Sequence, residues 1–372
     1  MILGAFLVAS TSVLAQHDSI RDRLYVQAEL TWYGVGPARD LSNRLVRIAA
    51  IRRLGFGGTR LPVEWARIER TRGHPDWARV DSVVSELQEN GLKAYGVIAY
   101  SPRWAVPAAY AGVLRIDSHR PVVDGSAAKG DTLFAAFAAA AARRYRGRVD
   151  RWEIWNEENL PAFWIDALGG VNRGPDAPDY GRLFALARDS IERANPDAEV
   201  AIGGLSSLNG RSITWPDPLD STRSIPAPTP EVYIRALVTA GVSFSAIGLH
   251  PYSIVPPGVR AFGRGVIFPD VVVDSALGAL DDLGLDNVRV WVTEWGIHTP
   301  FASSQAVLDT WFRDVLNTLF CRTRIALVTV HTLTDGDPRD QFGLLQMDGM
   351  KTADGVAFSR AIAAWKGCPL PR

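Results

Sequence analysis

The sequence predicts an α/β chain folded as one (β/α)8 TIM barrel, a closed parallel barrel in a single domain. Three observations carry that prediction. Eight short runs rich in β-branched residues alternate with longer amphipathic segments over nearly the whole length. Each run is almost continuously apolar, as a strand buried on both faces must be. No composition break or linker divides the 372 residues, which at 47% hydrophobic suffice for one large core. The rival, an open doubly wound sheet, usually carries a Gly-rich phosphate turn after its first strand. Here "LTWYGVGPARD" has Gly34 and Gly36 but no third glycine in register.

The expected strands follow in order. They are "LYVQAEL" (24–30), "GGTRLP" (57–62), "KAYGVIA" (93–99) and "RWEIWN" (151–156), then "EVAIGG" (199–204), "SAIGLH" (245–250), "VRVWVTE" (288–294) and "RIALVTVH" (324–331). Helical patterns lie between them. "DLSNRLVRIAAIRRLG" opens on an N-cap candidate, Asp40, and it and "PDWARVDSVVSELQENG" both end at glycine. "GDTLFAAFAAAAARRYRG" is Ala-rich with a basic last turn, which suits the helix dipole. The Pro-rich run 215–231 reads as a long surface loop after the fifth strand.

Forty basic residues balance forty acidic ones. Without a basic excess or stripe, a nucleic-acid partner is not expected. The zero net charge also argues against a polyuronic substrate. The start, "MILGAFLVASTSVLA", is apolar but shorter than the about 20 residues of a spanning helix. Val13 and Ala15 before Gln16 have the small-residue spacing of signal-peptidase cleavage. The expectation is a signal peptide over 1–15, the barrel over 16–372, a secreted or periplasmic location and no membrane insertion; a buried first strand is the alternative. Cys321 and Cys368 either form one disulfide tying down the C-terminal helix or remain two buried thiols.

In a parallel barrel, reactive groups sit at the C-terminal ends of the strands. Strand four ends in Asn156-Glu157 and strand seven in Glu294; strand two carries Arg60, strand six ends at His250 with Tyr252 two residues on, and strand eight ends at His331. Two facing carboxylates are what glycoside hydrolysis requires. One protonates the departing oxygen; the other attacks the anomeric carbon at about 5–5.5 Å separation, or activates water at a wider one. Period-two alternation puts Glu153, Trp155 and Glu157 on one face of strand four, with Glu153 a charge-paired interior residue and Glu158 pointing elsewhere. On strand seven it groups Val290, Val292 and Glu294. Trp104, Trp155, Trp164 and Trp295 are candidate platforms for sugar faces, with core packing the alternative.

"WEIWNEEN" followed by "VWVTEWG" resembles the strand-four and strand-seven signatures of retaining glycoside hydrolases of clan A, particularly families 39 and 5. "GGTRLPVEWARIE", "GVIAYSPRWA", "LHPYS" and "FGLLQMDGMKTADGVAF" are similar to further segments of that clan, in the same order. "AYSPRW" lacks the histidine many family 5 enzymes carry after strand three. "VTVHTLTDGD" offers His331 and Asp335 where they commonly place tryptophan. Both departures lean toward family 39 or an unassigned relative. The resemblance implies Glu157 as acid/base, Glu294 as nucleophile, Asn156 on the sugar 2-hydroxyl, and Arg60 and Tyr252 holding Glu294 ionised. It also implies that His250 tunes Tyr252 or a substrate hydroxyl. The partner would be a carbohydrate, and this chemistry needs no cofactor.

Other classes fit less well. The six histidines show no His-x-His or His-x-x-x-His pair for a metal, and "GGLSSLNG" lacks the Gly-x-Ser-x-Gly elbow of serine hydrolases. A carbohydrate-binding barrel without turnover remains the second reading; its usual mark is a missing carboxylate, and both are present.

Overall fold

A computed structural model of the chain describes residues 20–110, 118–166, 171–207, 213–252, 269–298, 302, 304–336 and 341–368. Residues 1–15, expected to be a signal peptide, lie outside them. The eight strands are β1 (Leu24–Gln27), β2 (Gly58–Glu64), β3 (Lys93–Ala99), β4 (Arg151–Asn156), β5 (Glu199–Ser206), β6 (Ala246–His250), β7 (Arg289–Trp295) and β8 (Ile325–Val330). Each pairs in parallel with the next. β8 then closes on β1, with Leu24 opposite Val328 and Val26 opposite Val330. A helix follows every strand: α1 (Arg44–Arg53), α2 (Ala78–Glu89), α3 (Ala127–Arg144), α4 (Ala177–Ala194), α5 (Pro230–Thr239), α6 (Pro269–Asp282), α7 (Gln305–Phe320) and α8 (Ala353–Ala364). The expected (β/α)8 barrel is the observed one. No helix among the described residues is long and apolar enough to cross a membrane.

Side-chain caps fix several helix starts. Asn43, not Asp40, opens α1 by accepting from the Leu45 amide; Asp40 instead closes a turn with the Ser42 amide and hydroxyl. Ser126, Asp176, Ser304 and Thr352 cap α3, α4, α7 and α8 in the same way.

The barrel interior is layered. Tyr25, Tyr95, Val97, Ala201, Ala246, Trp291 and Leu327 form an apolar plug, and the Tyr95 hydroxyl meets Thr329 Oγ1 at 2.7 Å on its upper side. Above it the inward positions turn polar: Gln27, Arg60 and Glu153. Hydrophobic side chains on the opposite strand faces pack against the helices. Burial on both sides explains why the strands read as continuous apolar runs.

Two expectations require correction. The run after β5 is not structureless: Ile213–Asp217 and Asp220–Ala227 pair as an antiparallel hairpin. Its Trp215 and Ala227 pack with Leu160 and Phe163, in the segment following Glu157. Strict alternation also fails at two strand ends, as the site makes clear. The choice between a disulfide and two thiols is decided: Cys321 and Cys368 are bonded, their Cα atoms 5.2 Å apart.

Candidate active site

Alternation would send neighbouring residues to opposite faces, yet Asn156 and Glu157 both reach the mouth. Trp155 (φ 75°) and Glu157 (φ 50°) adopt left-handed backbone, which costs a non-glycine residue roughly 1–3 kcal/mol and persists only when the surroundings demand it. The twist throws Trp155 outward, against Tyr100, Phe134 and Trp164. Trp155 therefore does not share a face with Glu153 and Glu157, as expected. On β7 the inward residue is Trp291, with Val290 and Val292 in the helix-facing core. Between the Val292–Val328 and Trp295–Val330 pairs, β7 carries one residue more than β8. This bulge re-aims Glu294 into the mouth.

The two carboxylates meet there. One oxygen each of Glu157 and Glu294, with a ring nitrogen of His250, all lie within 4.8 Å of one another. Arg60, 6% exposed, organises the site: its guanidinium donates to Glu153 Oε2 and Oε1 at 3.1 and 3.0 Å, to Asn156 Oδ1 at 2.7 Å, and to Glu294 Oε1. Glu153 is thus the charge-paired interior residue expected, and it also accepts from the Gly204 amide at 2.7 Å. Tyr252 donates to Glu294 Oε2 at 2.6 Å.

Electrostatics follow from this geometry. Burial pushes the Glu294 carboxyl up, but His250, Arg60, His331 and the Tyr252 hydroxyl together hold it at about 2. Glu294 is ionised across the ordinary pH range. His250 is fully buried, which disfavours its charge, yet Glu294 and the hydrogen-bonded Glu157 raise its proton affinity above the usual value. Its Nδ1 lies 3.0 Å from Glu157 Oε1 and 3.6 Å from Glu294 Oε2. His250 therefore addresses the carboxylates, not the Tyr252 hydroxyl. Glu157, His250 and Glu294 converge closely enough to hold a cation, and in this arrangement the His250 Nδ1 is engaged with Glu157 Oε1 at 3.0 Å.

Of the other expected residues, His331 belongs to the site, its Nδ1 being 3.9 Å from Glu294 Oε2. Trp164 and Trp295 do not line it. Both are fully buried, Trp164 edge-on to Trp155 and Tyr180 and Trp295 stacked on Trp311, so neither offers a face to a sugar. Trp104 is half-buried and donates to the Glu69 carbonyl, with Arg72 over its ring. Asp335 organises a loop by accepting from the Phe342 and Gly343 amides.

Sequence reading missed three residues. Gln27 ends β1 and bonds both Glu29 Oε1 (2.6 Å) and His331 Nδ1 (3.0 Å). A carboxylate only accepts, so the Gln27 amide nitrogen faces Glu29 and its oxygen faces His331, whose Nδ1 carries the proton. Reading the first strand as far as Leu30 hid the signal that Gln27 is a strand-end residue. Asn159, fully buried, joins the segment after Glu157 to the Ser206 backbone and the Pro228 carbonyl. Gly204 leaves room for His250: a Cβ there would fall 2.0 Å from Nε2.

No family model matches the chain, and no curated protein matches it in sequence. Solved structures do resemble it. A family 39 glycoside hydrolase from the gut symbiont Bacteroides cellulosilyticus WH2 aligns with a TM-score of 0.67 at 20% identity, over 94% of this chain and 64% of its own. A monomeric beta-xylosidase from Caulobacter crescentus CB15 gives 0.58 at 16% identity, over 86% and 64%. Xylanase 10B from Thermotoga petrophila RKU-1 gives 0.57 at 13% identity, over 94% and 96%. This chain thus spans 64% of the length of each of the first two. At such identities the likeness is one of fold, and the fold is that of these glycoside hydrolase barrels.

Proposed function

We propose that the chain is a retaining glycoside hydrolase acting on O-glycosidic bonds of an oligo- or polysaccharide. The observation that carries this reading is the approach of a Glu157 oxygen and a Glu294 oxygen to within 4.8 Å, with Glu294 held as an anion. Such a close approach favours the about 5–5.5 Å carboxyl spacing of a retaining pair over the about 6.5–9.5 Å that leaves room for an activated water. Glu294 attacks the anomeric carbon while Glu157 gives its proton to the departing oxygen. The glycosyl ester then forms on Glu294, and Glu157, now a carboxylate, takes a proton from the water that cleaves it. Arg60 and Tyr252 hold the nucleophile in one orientation, and Arg60 fixes Asn156 beside it. The Cys321–Cys368 bond supports export to an oxidising compartment, in keeping with the apolar start.

Intact-mass spectrometry after incubation with 2-fluoroglycosyl fluorides tests the reading. Xylosyl and glucosyl probes come first, because the structural neighbours include a xylosidase, a xylanase and a glucosidase. The expected adduct maps to Glu294. Glu157→Gln and Glu294→Gln should each lower turnover by about 10³-fold or more while retaining carbohydrate binding. An adduct on Glu157 would reverse the roles, and full turnover in Glu294→Gln would sink the mechanism.

A further inference from the structure

The barrel-facing side of β2 continues past Arg60. Arg60 reaches Glu294, while Pro62 and Glu64, two and four residues on, line a cavity of about 640 Å³ beside the mouth. That volume lies within the roughly 300–1,000 Å³ of small-ligand sites. Trp32, which follows β1, stands in the cavity wall 55% exposed. The Arg67 guanidinium lies 4.8 Å from the centre of its ring and is paired with Glu64. Arg70 and Arg79 complete the cationic side. Arg79 donates to the Thr31 carbonyl at 2.9 Å, and neither arginine is paired with a carboxylate among the described residues.

The loop that presents Arg70 is held in place. Glu69 accepts from Trp65 Nε1 at 2.7 Å and from the Gly73 amide at 2.6 Å, and Trp65 is anchored in the core. The Asp76 amide closes the loop onto the Ile68 carbonyl at 2.8 Å. An exposed aromatic ring beside two guanidinium forks that pair with no carboxylate among the described residues, in a lining where arginines outnumber carboxylates, suits a sugar ring carrying an anion. The ring's apolar face stacks on Trp32, and the forks take two acidic oxygens at once.

We propose that this cavity binds an acidic sugar unit, bearing a carboxylate or a sulfate ester, of the glycan cleaved between Glu157 and Glu294. The proposal rests on the glycosidase reading of that pair. It also reverses the expectation drawn from net charge. Balance over the whole chain does not prevent a local excess, and here Arg67, Arg70 and Arg79 face the carboxylates of Glu64 and Asp76, leaving one cation in surplus.

The test is calorimetric titration of the full chain carrying Glu157→Gln. The ligands are matched neutral, uronate-bearing and sulfated tetrasaccharides on xylose and glucose backbones, at low and high salt. At least one acidic ligand should bind roughly three- to tenfold more tightly than its neutral counterpart, an advantage that shrinks as salt rises. Whether the uronate or the sulfate gains names the anion. Arg70→Ala should remove most of the advantage without altering neutral affinity, and Trp32→Ala should weaken both. If no acidic ligand exceeds its neutral partner, or Arg70→Ala weakens both alike, the proposal is overturned. Labelling of Glu294 reports separately on the catalytic reading. A labelled enzyme without acid preference sinks the cavity proposal alone; acid preference with neither label nor turnover sinks the glycosidase reading, and with it the claim that the bound unit belongs to a glycan cleaved there.

Discussion

Glu157 and Glu158 are neighbours in sequence, yet only the first reaches the mouth. The left-handed turn at Glu157 sends Glu158 between the barrel and α4, where it is fully buried and neither carboxyl oxygen finds a hydrogen-bond partner among the described residues. The nearby Tyr180 hydroxyl is engaged by the Ile154 carbonyl and the Gly203 amide. Burial first, and the Glu153 charge after it, push the Glu158 carboxyl well above its usual range. The folded chain therefore holds a proton there that the unfolded chain releases. The resulting stability is fully present below the ordinary carboxylate value near 4.3 and is lost as pH rises toward the folded one. Glutamine keeps the shape without the titration. Glu158→Gln should match the parent near pH 4 and exceed it increasingly at higher pH, by at most about 1.4 kcal/mol per pH unit. Denaturant midpoints measured from pH 4 to 8 check this; a constant difference across that range would show that Glu158 is ionised in the fold.

At the scale of elements, the site depends on where strands depart from regular alternation. β7 carries one extra residue against β8 before Trp295, and β5 carries one against β6 between Ile202 and Gly204. Gly203 and Gly204 make the second bulge possible. A Cβ on Gly203 would meet Glu158 Oε2 at 2.2 Å, and one on Gly204 would meet His250 Nε2 at 2.0 Å and Thr293 Oγ1 at 2.6 Å. Gly204→Ala must therefore displace the imidazole that bridges both carboxylates. Turnover should fall by about 10²-fold, the usual cost of an ångström of misplacement, with about 1–3 kcal/mol lost from overpacking. Unchanged turnover with only a stability loss would show that His250 is not a positioning residue. These bulges also explain what the sequence concealed. Apolar β-branched runs located every barrel strand, and reading the strand ends gave Arg60, His250 and Tyr252 as site residues. Period-two alternation could not anticipate the left-handed backbone that turns Trp155 outward or the extra residue that turns Glu294 inward, because a bulge depends on the partner strand's register. Trp164 and Trp295 were misread for a related reason: an aromatic beside an acidic residue has the same letters whether it faces a sugar or a helix.

Across the whole molecule, the two ends of the barrel divide stability from chemistry. The strand ends carrying Glu157, His250 and Glu294 hold the costly features, left-handed backbone and gathered charge. The opposite end carries the disulfide. Cys321 follows α7 just before β8 begins, and Cys368 follows α8, so the bond fastens the last helix to the barrel's N-terminal face. It links positions 47 residues apart. A loop of that size removes enough freedom from the unfolded chain to contribute about 4 kcal/mol, with about 2–4 kcal/mol the common observed range. Sequence left the pairing open, since the spacing of two cysteines carries no distance; only the parallel packing of α7 and α8, which brings their C-terminal ends together, supplies it. Reduction, or Cys321→Ser with Cys368→Ser, should lower the unfolding free energy by about 2–4 kcal/mol and leave turnover at 25 °C within about twofold of the parent. Both quantities can be read on one preparation by denaturant titration and initial rates. A fall in turnover of tenfold or more in fully folded protein would mean that the clasp reaches the mouth through α8 and the Leu344–Thr352 segment, and that the barrel's two ends are mechanically coupled.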